Sequence, residues 1–353
     1  MDASQVTMNL GGDETYEIAV SYGTIIGTGG LAIVVCGARL LTRATVIRAF
    51  GIDDWACLVA LTFTTTFSAL GVAAVANGAG RHINHVLPSE LALWFKFYYA
   101  CTCLSLVTAF AVKTSLLLYL RRLFPTPFLK RYIPIFLIFM FLITFAFGFV
   151  DAFQCNPPHY IYDLKYVMDP DRVNHCLPAD TVYGVFLFQA ILLFIIDIII
   201  LVLPVPIIWS LKLQHGKGIL ALLIFVPAIV ACIAPTLRFS SLAFLKSQDT
   251  DITYHSASAL YWQCIEYNLG MIAGSVGCLS PLFKRLGTIG KKHLTNPKLS
   301  SSSYRLDDRN DWSPKKGSGN RVQGDSVLYT ARPQEYGDSD EYFAHGSERH
   351  LAA

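Results

Sequence analysis

Residues 181–209 read TVYGVFLFQAILLFIIDIIILVLPVPIIW, and this apolar run decides what kind of fold the chain can adopt. A helix needs about 20 apolar residues to cross the roughly 30 Å of hydrocarbon in a bilayer, and the run exceeds that length. A backbone polar group left unpaired in hydrocarbon is strongly destabilising, so a segment that crosses the membrane must be helical. The run therefore predicts a transmembrane helix.

Six further stretches of the same character predict that the chain crosses the membrane seven times. Hydrophobic residues make up 53% of the chain and charged residues 15%, whereas a soluble domain carries about 25% charge. The net charge of +3 is too small to indicate a nucleic-acid partner, so the predicted partner is the lipid bilayer. We predict an all-α fold, a seven-transmembrane helix bundle, whose stretches are 17–38, 55–77, 91–119, 132–153, 181–209, 218–245 and 257–280.

The placement of Lys and Arg between the stretches predicts which side of the membrane each loop faces. Residues 1–16 contain acidic side chains but no Lys or Arg, and the alternate loops dilute their few basic residues with aspartates. Translocation retains Lys and Arg in the cytosol, so the N-terminus is predicted outside and the C-terminus in the cytosol. The residues predicted on the cytosolic side are Arg39, Arg43, Arg48, Arg121, Arg122, Lys130, Arg131, Lys212, Lys217, Lys284, Arg285, Lys291 and Lys292.

The same patterns divide the chain into three regions. Residues 1–16 are predicted to form a short extracellular N-terminus, and residues 17–290 the seven-helix membrane domain. Residues 291–353 are rich in Ser, Asp, Arg and Gly and lose apolar periodicity, which predicts a disordered cytosolic tail. The first stretch follows an acidic start and has full transmembrane length, so we expect an anchor rather than a cleaved signal peptide.

Two of the nine cysteines, Cys155 and Cys176, fall in a loop that the charge rule places outside the cytosol. That compartment is oxidising, so a disulfide between them is reasonable and would stiffen the outer face. Cys101 or Cys103, near the outer end of the third stretch, is the competing partner for a bridge. The absence of any bridge is the third alternative.

Four charged side chains lie well away from the ends of the predicted helices, where each costs at least about 2.5 kcal/mol without a partner or a cavity. At about 1.5 Å per residue, Lys113 and Asp197 fall in the inner half of the membrane, and Arg238 and Glu266 in the outer half. Opposite charges at matching depths predict two buried ion pairs, Lys113–Asp197 and Arg238–Glu266. The pairs either fix helix packing or contact a ligand or ion directly, and both interpretations stay open.

Asp53 and Asp54 open the second stretch at the predicted cytosolic surface. Their carboxylates can cap free backbone N–H groups and favour the positive end of the helix dipole. They can also pair with Arg39, Arg43 or Arg48 and so latch the inner face.

The outer loop after the second stretch reads Gly78-Ala79-Gly80-Arg81-His82. Glycine adopts backbone conformations that are closed to other residues, so this segment predicts a turn. His82 and His85 lack an acidic or cysteine partner nearby in the sequence, so a metal site is not predicted.

The sequence lacks the residues that several kinds of cofactor binding and catalysis require. The seventh stretch contains no Lys, so a retinal Schiff base cannot form there. The chain has no clustered histidines for a di-iron oxidase, no Gly-x-Ser-x-Gly nucleophile motif and no nucleotide loop. We therefore predict no cofactor and no enzymatic activity.

Ordered motifs along the seven stretches resemble those of the fungal rhodopsin-like integral membrane domain family, which includes the Pth-type receptor-like proteins and proteins of secondary-metabolism gene clusters. Each motif is weak alone, but their order makes the resemblance specific. The motifs are Gly51-x-Asp53-Asp54-Trp55; Gly78-x-Gly80-x-His82; Lys113-x-Ser115 with Tyr119, Arg121, Leu123 and Phe124; the cysteines Cys155 and Cys176; Asp197 with Pro204, Pro206 and Trp209; and Trp262 with Ile265-Glu266.

The resemblance implies a non-retinal, receptor-like multi-pass membrane protein that senses a small or lipophilic ligand in secondary metabolism or surface sensing. It implies the plasma membrane as the location, with an endomembrane as the alternative. On this hypothesis a ligand near Glu266, Trp262 and Arg238 perturbs the outer ion pair, and the change reaches a cytosolic signalling partner. The candidates for the inner-face switch are Asp53, Asp54, Arg121 and Arg122.

Three other functions remain alternatives, one of which is a scaffold. A transport or accessory protein for a lipophilic metabolite would use the buried charges to line a pathway. An intramembrane cyclase would use an Asp or Glu as its acid.

Overall fold

The structure, a computed structural model, describes residues 12–204, 233–237 and 251–279. Residues 1–11, most of the sixth predicted stretch and the predicted tail, 291–353, lie outside this part of the chain. The first five predicted stretches and the seventh correspond in order to six long helices. These helices are α1 (Gly12–Leu41), α2 (Ile52–Ala76), α3 (Pro88–Leu123), α4 (Pro127–Ala152), α5 (Ala179–Val202) and α6 (Ile252–Val276).

Short elements connect the long helices. A π-helical segment follows α1, a 3-10 turn precedes α3, and three single-turn helices lie between α4 and α5. A second 3-10 turn follows α6. In chain order these elements are Thr42–Ile47, Ile83–His85, His159–Tyr162, Leu164–Val167, Arg172–His175 and Gly277–Leu279.

Five of the described helices, α1 to α5, are long and apolar enough to cross a membrane. Their lengths and composition confirm an all-helical, multi-pass membrane protein. Helix α6 is 25 residues long but contains polar side chains throughout, among them Gln263, Glu266 and Asn268, so it does not meet the same hydropathy criterion. Such a helix needs protein neighbours for its polar face.

Helix α6 finds these neighbours, because it packs against α1, α2 and α3. Their shared core contains Ile25, Phe67 and Trp94, each at most 1% exposed. Glycines allow close approach: a Cβ added to Gly270 would lie 2.9 Å from the Val112 side chain. Small residues at helix contacts are how membrane helices pack closely.

A second apolar cluster joins α3, α4 and α5, and it includes Leu117, Ile133 and Ile196. The opposite face of α4 carries large apolar side chains that are more than half exposed, such as Ile138 and Phe145. A row of this kind suits contact with lipid. The described helices thus form a packed bundle whose outer surface is apolar.

Candidate functional site

A cavity of about 740 Å³ lies between α3, α5 and α6. It lies at the end of the bundle that carries Cys155 and Cys176, which we call the disulfide end. Pockets that bind small molecules usually measure about 300–1,000 Å³ and have mostly apolar walls. The helical residues around the cavity are Trp94, Phe95, Tyr98, Tyr99, Cys101, Thr102, Ser105 and Leu106 of α3; Ala179, Val182, Phe186, Gln189, Ala190 and Leu193 of α5; and Ile252, Ala259, Leu260, Gln263 and Tyr267 of α6.

The loop between α4 and α5 forms one wall of the cavity, and a disulfide joins its two ends. Cys155 and Cys176 are bonded, with their Cα atoms 4.0 Å apart, which confirms the first of the three predicted alternatives. Backbone hydrogen bonds flank the bridge, because the Leu177 N–H donates to the Gln154 carbonyl at 2.9 Å. Cys101 and Cys103 are free thiols. The disulfide therefore holds a loop directly against the cavity.

Three glutamines, Gln154, Gln189 and Gln263, place amide groups at the wall, and all three donate to protein acceptors. The Gln189 amide donates to Asp151 Oδ1 at 2.9 Å, in the buried space behind the wall. The Gln263 amide donates to the Tyr267 hydroxyl at 2.7 Å, and that hydroxyl donates to the Ser105 carbonyl at 2.9 Å. These bonds tie α5 to α4 on one side of the cavity and α6 to α3 on another.

Lys113 and Asp197 lie just beyond the end of the cavity that is deepest in the bundle. Lys113 Nζ is 2.8 Å from Asp197 Oδ1, so the structure brings together the two residues that the depth argument paired. The same ammonium donates to the Leu193 carbonyl at 3.3 Å, and Leu193 lines the cavity. Both side chains are mostly buried, at 6% and 17% exposure.

The other predicted pair has one member in the described part of the chain. Glu266 is 6% exposed, and Arg238 lies outside the described residues. Neither Glu266 nor Trp262 is among the residues that line the cavity. Helix α6 presents Gln263 and Tyr267 to it instead, because residues four apart share one face of a helix. The ligand position expected near Glu266 and Trp262 therefore differs from the cavity that the structure contains.

At the opposite end of the bundle, Asp53 and Asp54 lie in a cluster of arginines. Arg39 is fully buried, with its guanidinium 3.1 Å from Asp53 Oδ2 and 3.4 Å from Asp54 Oδ1. Arg43 contributes longer contacts of 4.0 and 3.9 Å to the same two carboxylates. Asp54 also caps α2, because it accepts from the Gly51 N–H at 3.0 Å. Asp54 thus both caps α2 and forms an ion pair, two roles that the sequence predicts separately.

Arg122 brings α3 into the same cluster. Its guanidinium lies 2.6 Å from Asp53 Oδ1 and donates to the Ala49 carbonyl at 2.8 Å. Arg121, its neighbour, is exposed and makes no ion pair within the described chain. We call Arg39, Arg43, Asp53, Asp54 and Arg122 the arginine cluster.

Arg39 is the centre of the arginine cluster. It donates to the Gly274 carbonyl of α6 at 2.9 Å, and its guanidinium lies 5.1 Å from the centre of the Tyr119 ring on α3. One buried side chain therefore holds α1, α2, α3 and α6 at this end. The sequence offered Arg39, Arg43 and Arg48 as equal candidates, because spacing alone does not say which arginine turns inward.

At the disulfide end, the loop after α2 makes the turn that its glycines predict. Gly78 and Gly80 have φ angles of +119° and +90°, a region that side chains strongly disfavour. The Gly80 N–H donates to the Thr253 carbonyl at 2.9 Å, so the turn is bound to the start of α6. His82 stacks on Tyr254 with the ring centres 4.6 Å apart.

The histidines of this loop have acidic partners that are distant in the sequence. His85 Nδ1 lies 2.9 Å from a carboxylate oxygen of Glu14, which also accepts from the His82 N–H at 2.7 Å. His82 Nδ1 lies 3.2 Å from Asp251. The search for partners close in sequence missed both acids, and the acidic first turn of α1 was the signal for Glu14. Among the described residues, no group of three or more His, Cys, Asp or Glu side chains is arranged to hold a metal ion.

Comparison with protein families agrees with this architecture. The family model of the fungal rhodopsin domain matches residues 38–285, which include the cavity, the disulfide and the whole arginine cluster. The chain belongs to the fungal rhodopsin domain family. The earlier resemblance is thereby confirmed. No solved structure matches this family member.

Three curated proteins are similar to this member of the fungal rhodopsin domain family. One is the polyenoic acids biosynthesis gene cluster protein Ba17b of Metarhizium anisopliae, 23% identical over 270 residues that cover 73% of this chain and 71% of that protein. A SAT4 family membrane protein of Emericella nidulans is 25% identical over 69% of this chain and 60% of its own length. The fugralins biosynthesis cluster protein 2 of Gibberella zeae is 26% identical over 38% of this chain and 32% of its own.

Proposed function

We propose that this protein is a receptor-like, seven-helix membrane protein that binds a small lipophilic molecule in the cavity at the disulfide end. The observation that carries the proposal is the cavity itself, about 740 Å³ in volume and walled mainly by aromatic and aliphatic side chains. Its size suits one ligand of ordinary dimensions. Gene-cluster names among the relatives support a metabolite as the ligand.

The proposal assigns binding rather than catalysis to the cavity. Helix α6 contains no Lys, so the ligand is not a retinal held as a Schiff base on that helix. The hydrogen bonds between Gln263, Tyr267 and Ser105 fix the polar part of the wall through contacts within the protein. A preformed wall loses little conformational entropy when a ligand binds.

Two helices connect the cavity to the arginine cluster, and this continuity supports a receptor-like role. Helix α3 is a single helix of 36 residues that lines the cavity near Trp94 and reaches the cluster at Tyr119 and Arg122. Helix α6 lines the cavity at Tyr267 and accepts a hydrogen bond from Arg39 at Gly274. A ligand that binds one conformation better would shift both ends, since such helices move as rigid units.

The proposal places the disulfide end outside the cytosol and the arginine cluster at the cytosolic face. The oxidising environment needed for Cys155–Cys176 supports this orientation, together with the distribution of Lys and Arg. The cluster would then contact a cytosolic signalling partner. Seven crossings require that both α6 and the sixth stretch span the membrane.

A binding experiment tests the proposed function. N-phenyl-1-naphthylamine is a neutral lipophilic dye that fluoresces more strongly in an apolar site, and we expect purified protein in detergent to bind it saturably. Ala190→Phe fills the cavity wall, whereas Ile191→Phe changes the adjacent residue, which is 43% exposed. We expect loss of binding in the first variant and retention in the second, with both folded by thermal melting. Equal binding by both variants would contradict the site.

Orientation needs a separate test. We expect a glycosylation tag placed after Ala353 to stay unmodified in the secretory pathway, and a tag placed before Met1 to be modified. Modification of the C-terminal tag would contradict the proposed sidedness, and modification of both tags would contradict an odd number of crossings.

A further inference from the structure

Arg172 differs from every other residue that lines the described part of the cavity, because it is the sole charged one among them. It lies in the disulfide loop, at the first position of the turn Arg172–His175. Its Nε is buried and has no hydrogen-bond partner in the structure. A buried donor without a partner is destabilising, so such a group needs an explanation.

Nothing on the protein side compensates this charge within the described residues. No carboxylate of the described chain forms an ion pair with Arg172, although Asp169 and Asp171 precede it in the loop. Burial lowers the pKa of the Arg172 guanidinium. A cation that is desolvated without a counter-charge favours any anion that can reach it.

Unlike the Arg172 guanidinium, the glutamine amide groups of the wall donate hydrogen bonds to protein acceptors. Gln189 donates to Asp151, Gln263 donates to Tyr267, and Gln154 donates to the Asp151 carbonyl at 3.2 Å. Arg172 thus stands out as a strong donor near the cavity that no acceptor of the described chain occupies. A guanidinium presents a planar fork that matches a carboxylate in two parallel hydrogen bonds.

The remainder of the cavity is long and mainly apolar. Along α5 its lining runs from Ala179 to Leu193, which corresponds to about 21 Å of helix at 1.5 Å per residue. Phe186 and Leu193 line this path, and Lys113 and Asp197 pair with each other beyond its far end. The cavity therefore has a cationic end in the loop and an apolar body.

We propose that the ligand of this cavity is a long-chain carboxylic acid, whose carboxylate binds the Arg172 guanidinium and whose apolar chain lies between α3, α5 and α6. This inference rests on the proposed function, and it adds the chemical class of the ligand. The chain extends toward Leu193, and the head group remains at the disulfide loop.

A matched pair of competitors tests the inference. Palmitate and hexadecanol have the same chain length and differ in the head group, so displacement of N-phenyl-1-naphthylamine compares the two directly. Because a charge-assisted hydrogen bond contributes more than a neutral one, we expect palmitate to bind about tenfold more tightly than hexadecanol. Arg172→Gln should remove this preference and leave hexadecanol unchanged, and Arg172→Lys should retain part of it. The charge control is Lys165→Gln, an exposed residue of the same loop that does not line the cavity, and it should keep the full preference.

The outcomes separate this inference from the proposed function. If the dye binds saturably but palmitate and hexadecanol compete equally in the wild-type protein, the acid assignment is overturned and the binding site stands. If the dye itself does not bind, the proposed function fails first. Phosphatidic acid supplies the third comparison, and stronger competition by it than by palmitate would overturn the carboxylate in favour of a membrane-lipid head group.

Discussion

The ammonium of Lys113 lies 2.8 Å from the carboxylate of Asp197 and also donates to the carbonyl of Leu193, a residue that lines the cavity. An ion pair on α3 and α5 thus joins two of the three long helices that line the cavity. It lies between that cavity and the arginine cluster, on the same helix that reaches both. The pair is consequently a structural link in the proposed receptor as well as a packing contact.

The pair predicts an asymmetric response to mutation. Lys113→Met leaves the Asp197 carboxylate buried without its counter-charge, and breaking a buried pair in this way typically costs about 3–5 kcal/mol. The double variant Lys113→Met with Asp197→Leu removes both charges, so we expect it to be more stable than the single variant. Thermal unfolding in detergent measures this order. A loss in the double variant that equals the sum of the losses in Lys113→Met and Asp197→Leu alone would show that the two charges do not interact.

The arginine cluster predicts an order of effects that follows burial. Arg39→Ala should destabilise the protein most, because Arg39 is fully buried and its loss leaves Asp53 and Asp54 with fewer partners. Arg122→Ala should cost less, since this side chain is 34% exposed. Arg121→Ala is the matched control, because it alters an exposed neighbour on the same helix. A melting temperature of Arg121→Ala below that of Arg39→Ala would be inconsistent with the cluster.

The disulfide predicts a loss of both stability and ligand binding. Cys155→Ser opens a loop of 21 residues in sequence separation, for which the chain-entropy model gives about 3 kcal/mol. The same loop contributes Arg172 to the cavity wall, so binding of N-phenyl-1-naphthylamine and of palmitate should weaken as well. Cys176→Ser should match Cys155→Ser, and the double variant should be no worse than either. Cys103→Ser, which alters a free thiol, should leave the melting temperature unchanged.

The turn after α2 predicts a strong effect of a single methyl group. Gly80→Ala places a side chain at φ +90° and close to Ile18 and Ala257, so we expect a loss of about 1–3 kcal/mol. Gly148→Ala in α4 is the control, because a Cβ there meets nothing within 4 Å. That change should be neutral or stabilising, since Ala is the better helix former. Similar melting temperatures for the two variants would mean that the turn is not constrained as described.

The helices could be predicted from the sequence because a segment that crosses the hydrocarbon must be a long run of apolar residues. The boundaries could not, since backbone hydrogen bonding continues beyond the hydrocarbon. The stretch predicted at 91–119 is a helix over Pro88–Leu123, and the stretch predicted at 17–38 begins at Gly12. In both cases the additional turns carry residues that make ion pairs. Glu14 lies in the first turn of α1, and Arg122 lies in the last turn of α3.

In the candidate site, the sequence predicts contacts that depend only on position along a helix axis. Helical rise is constant, so depth paired Lys113 with Asp197. Depth does not fix the direction of a side chain around the helix axis, so the sequence does not show that Gln263 and Tyr267, rather than Glu266 and Trp262, line this cavity. The sequence shows Arg172 only as a basic residue of a loop, because its position against the cavity depends on how the disulfide folds that loop.

Ligand-dependent change at the arginine cluster tests the central claim, that the cavity and the cluster act as one unit. A fluorophore attached to Arg121→Cys lies on exposed α3 surface beside Arg122 without disturbing the cluster. We predict that palmitate changes its emission saturably, at the concentrations that displace the dye from the cavity, and that Ala190→Phe abolishes the response. Displacement of the dye with no change in the emission of the fluorophore would contradict the account.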